Sequence, residues 1–115
     1  MDPLTLAIVW AIKTFVVGSV AVGAVGAIYL AYLTLSTVLD WFRQNNTLST
    51  YNANLVAVTI NKGLKNGKYT IVQGVFNKHT NSMAESRTIE TSRLDEDLVR
   101  RHRTQDVVLY EYYEY

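Results

Sequence analysis

The sequence predicts an α+β protein in which one N-terminal transmembrane helix is followed by a small domain with an antiparallel sheet. Residues 14–39 contain no charged side chain, and a helix of that length can cross a hydrocarbon core of about 30 Å. From residue 53 onward apolar residues alternate with polar ones, which is the period of a strand. We therefore expect a membrane helix over residues 1–43, a linker over 44–52 and a small α+β domain over 53–115.

The predicted membrane helix begins near Pro3, a residue tolerated in a first helical turn, and ends around residues 44–46. Indole and basic side chains flank the uncharged run, where membrane proteins contact lipid headgroups. The predicted interface anchors are Trp10, Lys13, Trp41 and Arg43. Membrane lipid is therefore an expected partner, and the distribution of Lys and Arg favours a cytoplasmic C-terminal domain.

Small residues recur at about every fourth position within the uncharged run. Helices in lipid associate where small side chains let two backbones approach closely. The predicted helix–helix interface consists of Ser19, Gly23, Gly26, Ala27, Ala31 and Thr34. This stripe predicts a homo-oligomer or incorporation into a larger membrane complex.

The C-terminal domain is predicted to contain strand, strand, strand, short helix and strand, in that order. Asn66-Gly67, between alternating runs over residues 53–61 and 69–77, is typical of a type I′ hairpin turn because both residues tolerate positive φ. The matching register places Val58 opposite Val75 and Leu64 opposite Tyr69. The apolar side chains of the two strands then lie on the same face of the sheet.

The remaining elements follow from weaker signals. A third strand is expected over residues 85–90, and a fourth over 106–112, where apolar residues alternate again. Between them, Ser92 and Asp95 have the spacing of a capping box, with aspartate in place of glutamate. We expect a short helix there, with Leu94 and Leu98 facing the sheet.

The chain has few of the residue types and motifs that enzymes use in catalysis. It has no cysteine and two histidines, His79 and His102, and it lacks a phosphate-binding loop, a nucleophile elbow and metal-ligand spacing. We therefore expect no enzymatic activity, no metal and no cofactor.

Basic residues form two groups, one at the predicted hairpin tip and one at the end of the short helix. Solvation and helix capping account for such groups in most proteins, and an anion or an acidic partner surface is the alternative. The candidate contacts are Lys62, Lys65, Lys68, Arg100, Arg101 and Arg103. The net charge of +1 gives no reason to expect nucleic acid, whereas a nucleotide ligand stays open.

These observations favour a non-enzymatic single-pass membrane subunit that self-associates or docks a partner through the small-residue helix face. Two alternatives remain at this point. One is a ligand-regulated effector whose clustered helices permeabilise the bilayer. The other is a filament or coat subunit whose apolar helix packs against copies of itself.

Overall fold

The computed structural model describes residues 3–18, 27–45 and 52–115, which form one sheet with helices on both of its faces. The elements in chain order are α1 (Pro3–Gly18), β1 (Ile28–Leu30), α2 (Leu35–Gln44), β2 (Leu55–Lys65), β3 (Lys68–Asn77), β4 (Ser82–Thr91), α3 (Glu96–Arg101), β5 (Val107–Tyr110) and a 3₁₀ helix (Tyr112–Glu114).

The five strands lie in the order β1-β4-β3-β2-β5. The pairs β2–β3, β3–β4 and β2–β5 are antiparallel, and β1 lies parallel to β4 with Ile28 opposite Ile89. The α+β class and the order of β2, β3, β4, α3 and β5 agree with the sequence-based prediction. Strand β1, in contrast, comes from the run that was predicted to be a membrane helix.

The hairpin between β2 and β3 turns at Asn66 and Gly67, both with positive φ, as a type I′ turn requires. Leu64 lies opposite Tyr69 as predicted, but Val58 lies opposite Gly74 instead of Val75. The difference is one residue, and its cause is a bulge between Asn61 and Leu64, where Gly63 has a φ of 101°.

Helices α2 and α3 cover one face of the sheet. Their fully buried side chains include Val38 and Phe42 from α2 and Leu98 from α3, which pack against strand residues such as Ile71 and Val75. Asp95 caps α3 by accepting a hydrogen bond from the Leu98 N–H at 2.8 Å. The predicted capping box starting at Ser92 is therefore wrong, because the helix begins one turn later.

Helix α1 covers the opposite face. Val9 and Ile12 are buried there against β2, β3 and β5, in a second apolar cluster that contains Val58, Val72 and Phe76. The residues before the predicted linker and those after it thus pack into the same two apolar layers around the sheet.

The predicted single-pass membrane helix is wrong. In residues 3–18, 27–45 and 52–115, no helix is both long enough and apolar enough to cross a bilayer. Within the uncharged run, α1 ends at Gly18, β1 forms at Ile28–Leu30 and α2 begins at Leu35. The physical reason is that apolar residues on both sides of the run, Val9 and Ile12 on one face and Leu33, Val38 and Phe42 on the other, are buried against the sheet, so their burial is provided by protein. The predicted single-pass membrane location, and the orientation that depends on it, are wrong as well.

Candidate docking site at the open edge of β5

Strands β1 and β5 form the two edges of the sheet. An edge strand presents main-chain N–H and C=O groups that have no neighbour on one side, and proteins usually cover such an edge or interrupt it. Strand β1 has three residues, whereas β5 has four and lies between α1 on one face and α3 on the other. The β5 edge is therefore the better template for another strand.

Main-chain geometry identifies the unpaired groups of β5. The Asn61 N–H donates to the Asp106 carbonyl at 2.8 Å, and hydrogen-bonded pairs alternate along an antiparallel ladder. Val108 and Tyr110 therefore direct their main-chain groups toward β2, and Val107 and Leu109 direct theirs away from it. No hydrogen bond joins these outward groups to another residue in the described part of the chain.

Both ends of this edge are closed by the protein itself. The Gln105 carbonyl lies 3.1 Å from His102 Nδ1. At the other end, the Glu111 N–H donates to Glu114 Oε1 at 3.0 Å, and the Glu111 carbonyl accepts from the Glu114 N–H at 2.9 Å. We call the stretch between these ends, Val107–Leu109, the β5 edge. Val107 and Val108 are buried, and Leu109 is its partly exposed residue.

Helix α1 runs antiparallel to β5 and borders the β5 edge. Thr5 lines the same cavities as Glu111, and Lys13 lines a cavity with Asp106 and Val107. An α-helix turns by about 100° per residue. Leu6 and Trp10, which follow Thr5 and Val9, therefore lie on a flank of α1 that is turned away from the core side formed by Ile8 and Ile12.

That flank carries two exposed apolar side chains. Leu6 is 46% exposed and Trp10 is 64% exposed, and their four-residue spacing places them on one side of the helix. We call this pair the α1 flank. Thr5 and Val9, which precede these two residues, line the cavity along the β5 edge.

A cavity of about 410 Å³ lies along the β5 edge. Thr5 and Val9 line it from α1, Val108 and Leu109 from β5, and Arg101 and Gln105 from the other face. The walls combine apolar side chains with a few polar ones, which is the usual composition of a protein docking site.

A chain of hydrogen-bonded side chains connects β5 to β2. The Thr59 hydroxyl lies 2.8 Å from the Tyr110 hydroxyl and 2.9 Å from His102 Nε2. Because His102 Nδ1 faces the Gln105 carbonyl, that nitrogen carries the proton in the neutral ring and Nε2 accepts. Tyr110 therefore donates to Thr59, and Thr59 donates to His102.

Burial shifts the pKa values of the two titratable side chains in this hydrogen-bond chain, His102 and Tyr110. It lowers the pKa of His102, although hydrogen bonds to the main chain of Gln105 and Asp106 and the charge of Asp106 act in the opposite direction. Burial also raises the pKa of Tyr110 to about 12. Both groups are therefore neutral near pH 7, and they fix the position of β5 as structural groups.

Ion pairing completes the support of β5 on the α3 side. Arg101 pairs with Glu114 at 2.8 Å, and its guanidinium lies 5.2 Å from the centroid of the Tyr110 ring. Arg101, one of the predicted anion contacts, is thus already engaged by an acidic and an aromatic partner.

The other predicted basic contacts are distributed over the molecule. Arg100 pairs with Asp97, and Lys68 lies 4.9 Å from the Tyr29 ring centroid. Lys62 lines the separate cavity that Lys13 shares with Asp106 and Val107. Lys65 lies directly opposite Lys68 beside the hairpin turn. Arg103 follows the end of α3. The structure does not bring the two groups together into one anion site, and their binding role stays a prediction.

The four predicted membrane anchors lie on two different helices. Trp10 and Lys13 are exposed on α1, and Arg43 pairs with Asp40 on α2. Trp41 contacts Phe42 edge-on at 5.6 Å between ring centroids and lies 5.2 Å below the Arg87 guanidinium. Trp41 and Arg43 therefore contact protein groups. The span that the four residues were expected to frame is not present in the described residues.

The predicted small-residue interface falls partly outside the described residues, since Ser19, Gly23 and Gly26 lie there. Ala27 precedes β1 and Ala31 follows it, both exposed, and Thr34 caps α2 by accepting from the Thr37 N–H. The described members do not share one helix. Their role in association is a prediction that the structure does not test.

Comparison with known proteins found no matching family model, no matching curated protein and no matching solved structure.

Sequence reasoning missed the β5 edge as a site. The alternation of Val107, Val108, Leu109 and Tyr110 predicted the strand, but it could not show that β5 is at an edge, because strand order depends on contacts between distant segments.

Proposed function

We propose that this protein is a non-catalytic association module that docks an extended strand along the β5 edge. The observation that carries the proposal is Leu109, a partly exposed outward residue of β5 whose main-chain groups have no partner among the described residues. An extended backbone is the ligand chemistry that satisfies such groups, as in the strand-addition mode of recognition. The cavity beside the edge accommodates alternate side chains of the docked strand.

The chemistry of the described residues supports association and not catalysis. His102 is held at both ring nitrogens by the hydrogen-bond chain behind β5, so neither nitrogen is free to move a substrate proton. Among residues 3–18, 27–45 and 52–115, no group of three or more His, Asp or Glu is arranged to hold a metal ion. Both alternatives based on a long apolar helix lack such a helix in the same residues.

The proposal is tested with a fluorescently labelled peptide of residues 104–111, TQDVVLYE, as a model strand. Fluorescence anisotropy is measured while the full-length protein is titrated from low concentrations. We expect saturable binding, because an antiparallel copy of β5 matches the outward groups of the edge. A peptide that is N-methylated at the positions of Val107 and Leu109 should bind at least tenfold more weakly, because it has lost the matching donors.

Substitutions in the protein provide the matched control. Leu109→Pro removes an N–H that points away from β2, so it obstructs the edge without removing a bond between β5 and β2. Leu109→Ala loses the same side-chain contacts but keeps the N–H. We expect the Pro variant to abolish peptide binding and the Ala variant to retain it. Equal binding by both variants would contradict strand addition.

A further inference from the structure

We propose that the sheet face beside the β2–β3 hairpin binds a phosphate monoester of a small hydroxyl-bearing molecule, which is the chemistry of a sugar phosphate. The site uses residues of β1, β2, β3 and β4, on the face of the sheet that α1 covers farther along β3, at Val72. No residue of β5 takes part, so the proposal does not depend on the strand docking described above.

Strand register places the side chains of this site on one face. Glu90 of β4 lies directly opposite Thr70 of β3 and beside Tyr29 of β1, and residues directly opposite in neighbouring strands share a face. Lys68 comes two residues before Thr70 and therefore lies on the same face, and Lys65 lies opposite Lys68. A cavity of about 250 Å³ lies there, lined by Lys65, Asn66, Lys68, Thr70 and Glu90.

Two ammonium groups belong to this cavity. Lys65 and Lys68 are directly opposite each other across the hairpin, and like charges in that position destabilise a strand pair. Neither ammonium forms an ion pair with a residue in the described part of the chain. A phosphate monoester carries a charge of about −1.5 to −2 at pH 7, so an ester that binds both ammonium groups removes their repulsion.

The ring of Tyr29 positions one of these lysines. Its centroid lies 4.9 Å from Lys68 Nζ, a cation–π contact that leaves the N–H groups of the ammonium available to an anion. The Tyr29 hydroxyl oxygen lies 2.6 Å from the Ser92 hydroxyl oxygen, which fixes the ring. The Lys68 ammonium is therefore held in place before the ligand binds, and this lowers the entropy cost of binding.

The cavity also has an acidic and a hydroxyl side chain. Glu90 and Thr70 are both partly exposed, and neither side chain forms a hydrogen bond or an ion pair with a described residue. An ionised carboxylate only accepts hydrogen bonds, so Glu90 favours a ligand with hydroxyl donors and repels a second phosphate. The combination therefore favours a phosphate that carries hydroxyl groups over inorganic phosphate.

Isothermal titration calorimetry of the full-length protein with ribose 5-phosphate tests the site. Ribose and inorganic phosphate are the partial probes, and each should bind at least tenfold more weakly. Adenosine monophosphate distinguishes two sources of this chemistry. An affinity equal to that of ribose 5-phosphate indicates a sugar phosphate, and a preference that is lost in Tyr29→Leu indicates a nucleotide. Ribose 5-phosphate that binds no more tightly than inorganic phosphate overturns the proposal.

Substitutions of exposed or partly exposed side chains assign the contacts. Lys65→Gln and Lys68→Gln should each weaken ribose 5-phosphate binding at least fivefold, and Lys62→Gln, in the neighbouring bulge, is the matched control that should change it less than twofold. Glu90→Gln should weaken ribose 5-phosphate but not inorganic phosphate, because its carboxylate binds the hydroxyl groups. Wild-type affinity in both Lys65→Gln and Lys68→Gln overturns the site, and so does an equal loss of both probes in Glu90→Gln.

Discussion

The hydroxyl oxygens of Thr59 and Tyr110 lie 2.8 Å apart in the interior of the sheet, where Thr59 is fully buried and Tyr110 is 4% exposed. One residue belongs to β2 and the other to β5. Their contact therefore links the proposed docking strand to the rest of the sheet, and it continues to His102 on the far side of Thr59.

Tyr110→Phe should lower the free energy of unfolding by about 1–2 kcal/mol, because Thr59 loses a buried donor while the ring stays packed. The loss is measured by urea denaturation. Tyr113→Phe is the matched control, since that side chain is 85% exposed, and it should cost less than about 0.5 kcal/mol. A Tyr110→Phe variant as stable as wild type would show that the hydroxyl contributes nothing to the fold.

Stability should decrease as the pH falls below about 6.5, because His102 titrates at a lower pKa in the folded protein than in the unfolded chain. In this range the unfolded state binds more protons, so acidification favours unfolding. Protonation would also place a hydrogen on Nε2, which must accept from Thr59. Urea midpoints between about pH 7.5 and 5.5 measure the effect, above the range in which most carboxylates titrate.

The same series on His102→Gln provides the control for this pH dependence. That variant should be less stable at neutral pH, but its midpoint should change less over the same interval. If the urea midpoints of wild type and variant change equally with pH, groups other than His102 cause the pH dependence.

Gln73→Leu should destabilise the protein by about 2 kcal/mol, since Gln73 is fully buried and joins two elements. Its Nε2 donates to the Val38 carbonyl at 2.7 Å, and its Oε1 accepts from Arg87 Nε at 2.8 Å. In an Arg87→Leu background the same change should cost less, because the Arg87 donor is no longer left unpaired. Strictly additive losses in calorimetry would show that the two residues act independently. Gln44→Leu, exposed on α2, is the surface control.

Local turn chemistry explains which parts of the fold could be predicted from the sequence. The Asn66-Gly67 pair predicted the hairpin correctly, because both residues adopt the positive φ that the turn requires. The one-residue error in the β2–β3 register came from Gly63, whose positive φ allows a bulge. A glycine in a strand indicates that a bulge is allowed but not that one forms.

The uncharged run wrongly predicted a membrane helix, because a lipid bilayer and the faces of a sheet both favour an uninterrupted apolar sequence. Helix α1 buries Val9 and Ile12 against the sheet while Leu6 and Trp10 stay exposed on its flank, so apolar residues occur around most of the helix, as in a membrane span. The parallel pairing of Ile28 with Ile89 joins distant segments and leaves no local signal. The candidate site could not be predicted for the same reason, since it depends on which strand is at the edge.

Gly74→Ala should destabilise the protein by about 1–3 kcal/mol through overpacking. A Cβ at this position in β3 would lie 2.8 Å from the Glu85 carbonyl oxygen and 3.0 Å from Met83 Sδ. The methionine side chain can move, but the carbonyl belongs to the main chain of β4, so the strand pair itself must shift. Chemical denaturation measures the loss. Met83→Ala in the same background should restore only a small part of it, because the closer obstacle remains. Full recovery of stability by Met83→Ala would identify the side chain as the obstacle and contradict this account of β3–β4 packing.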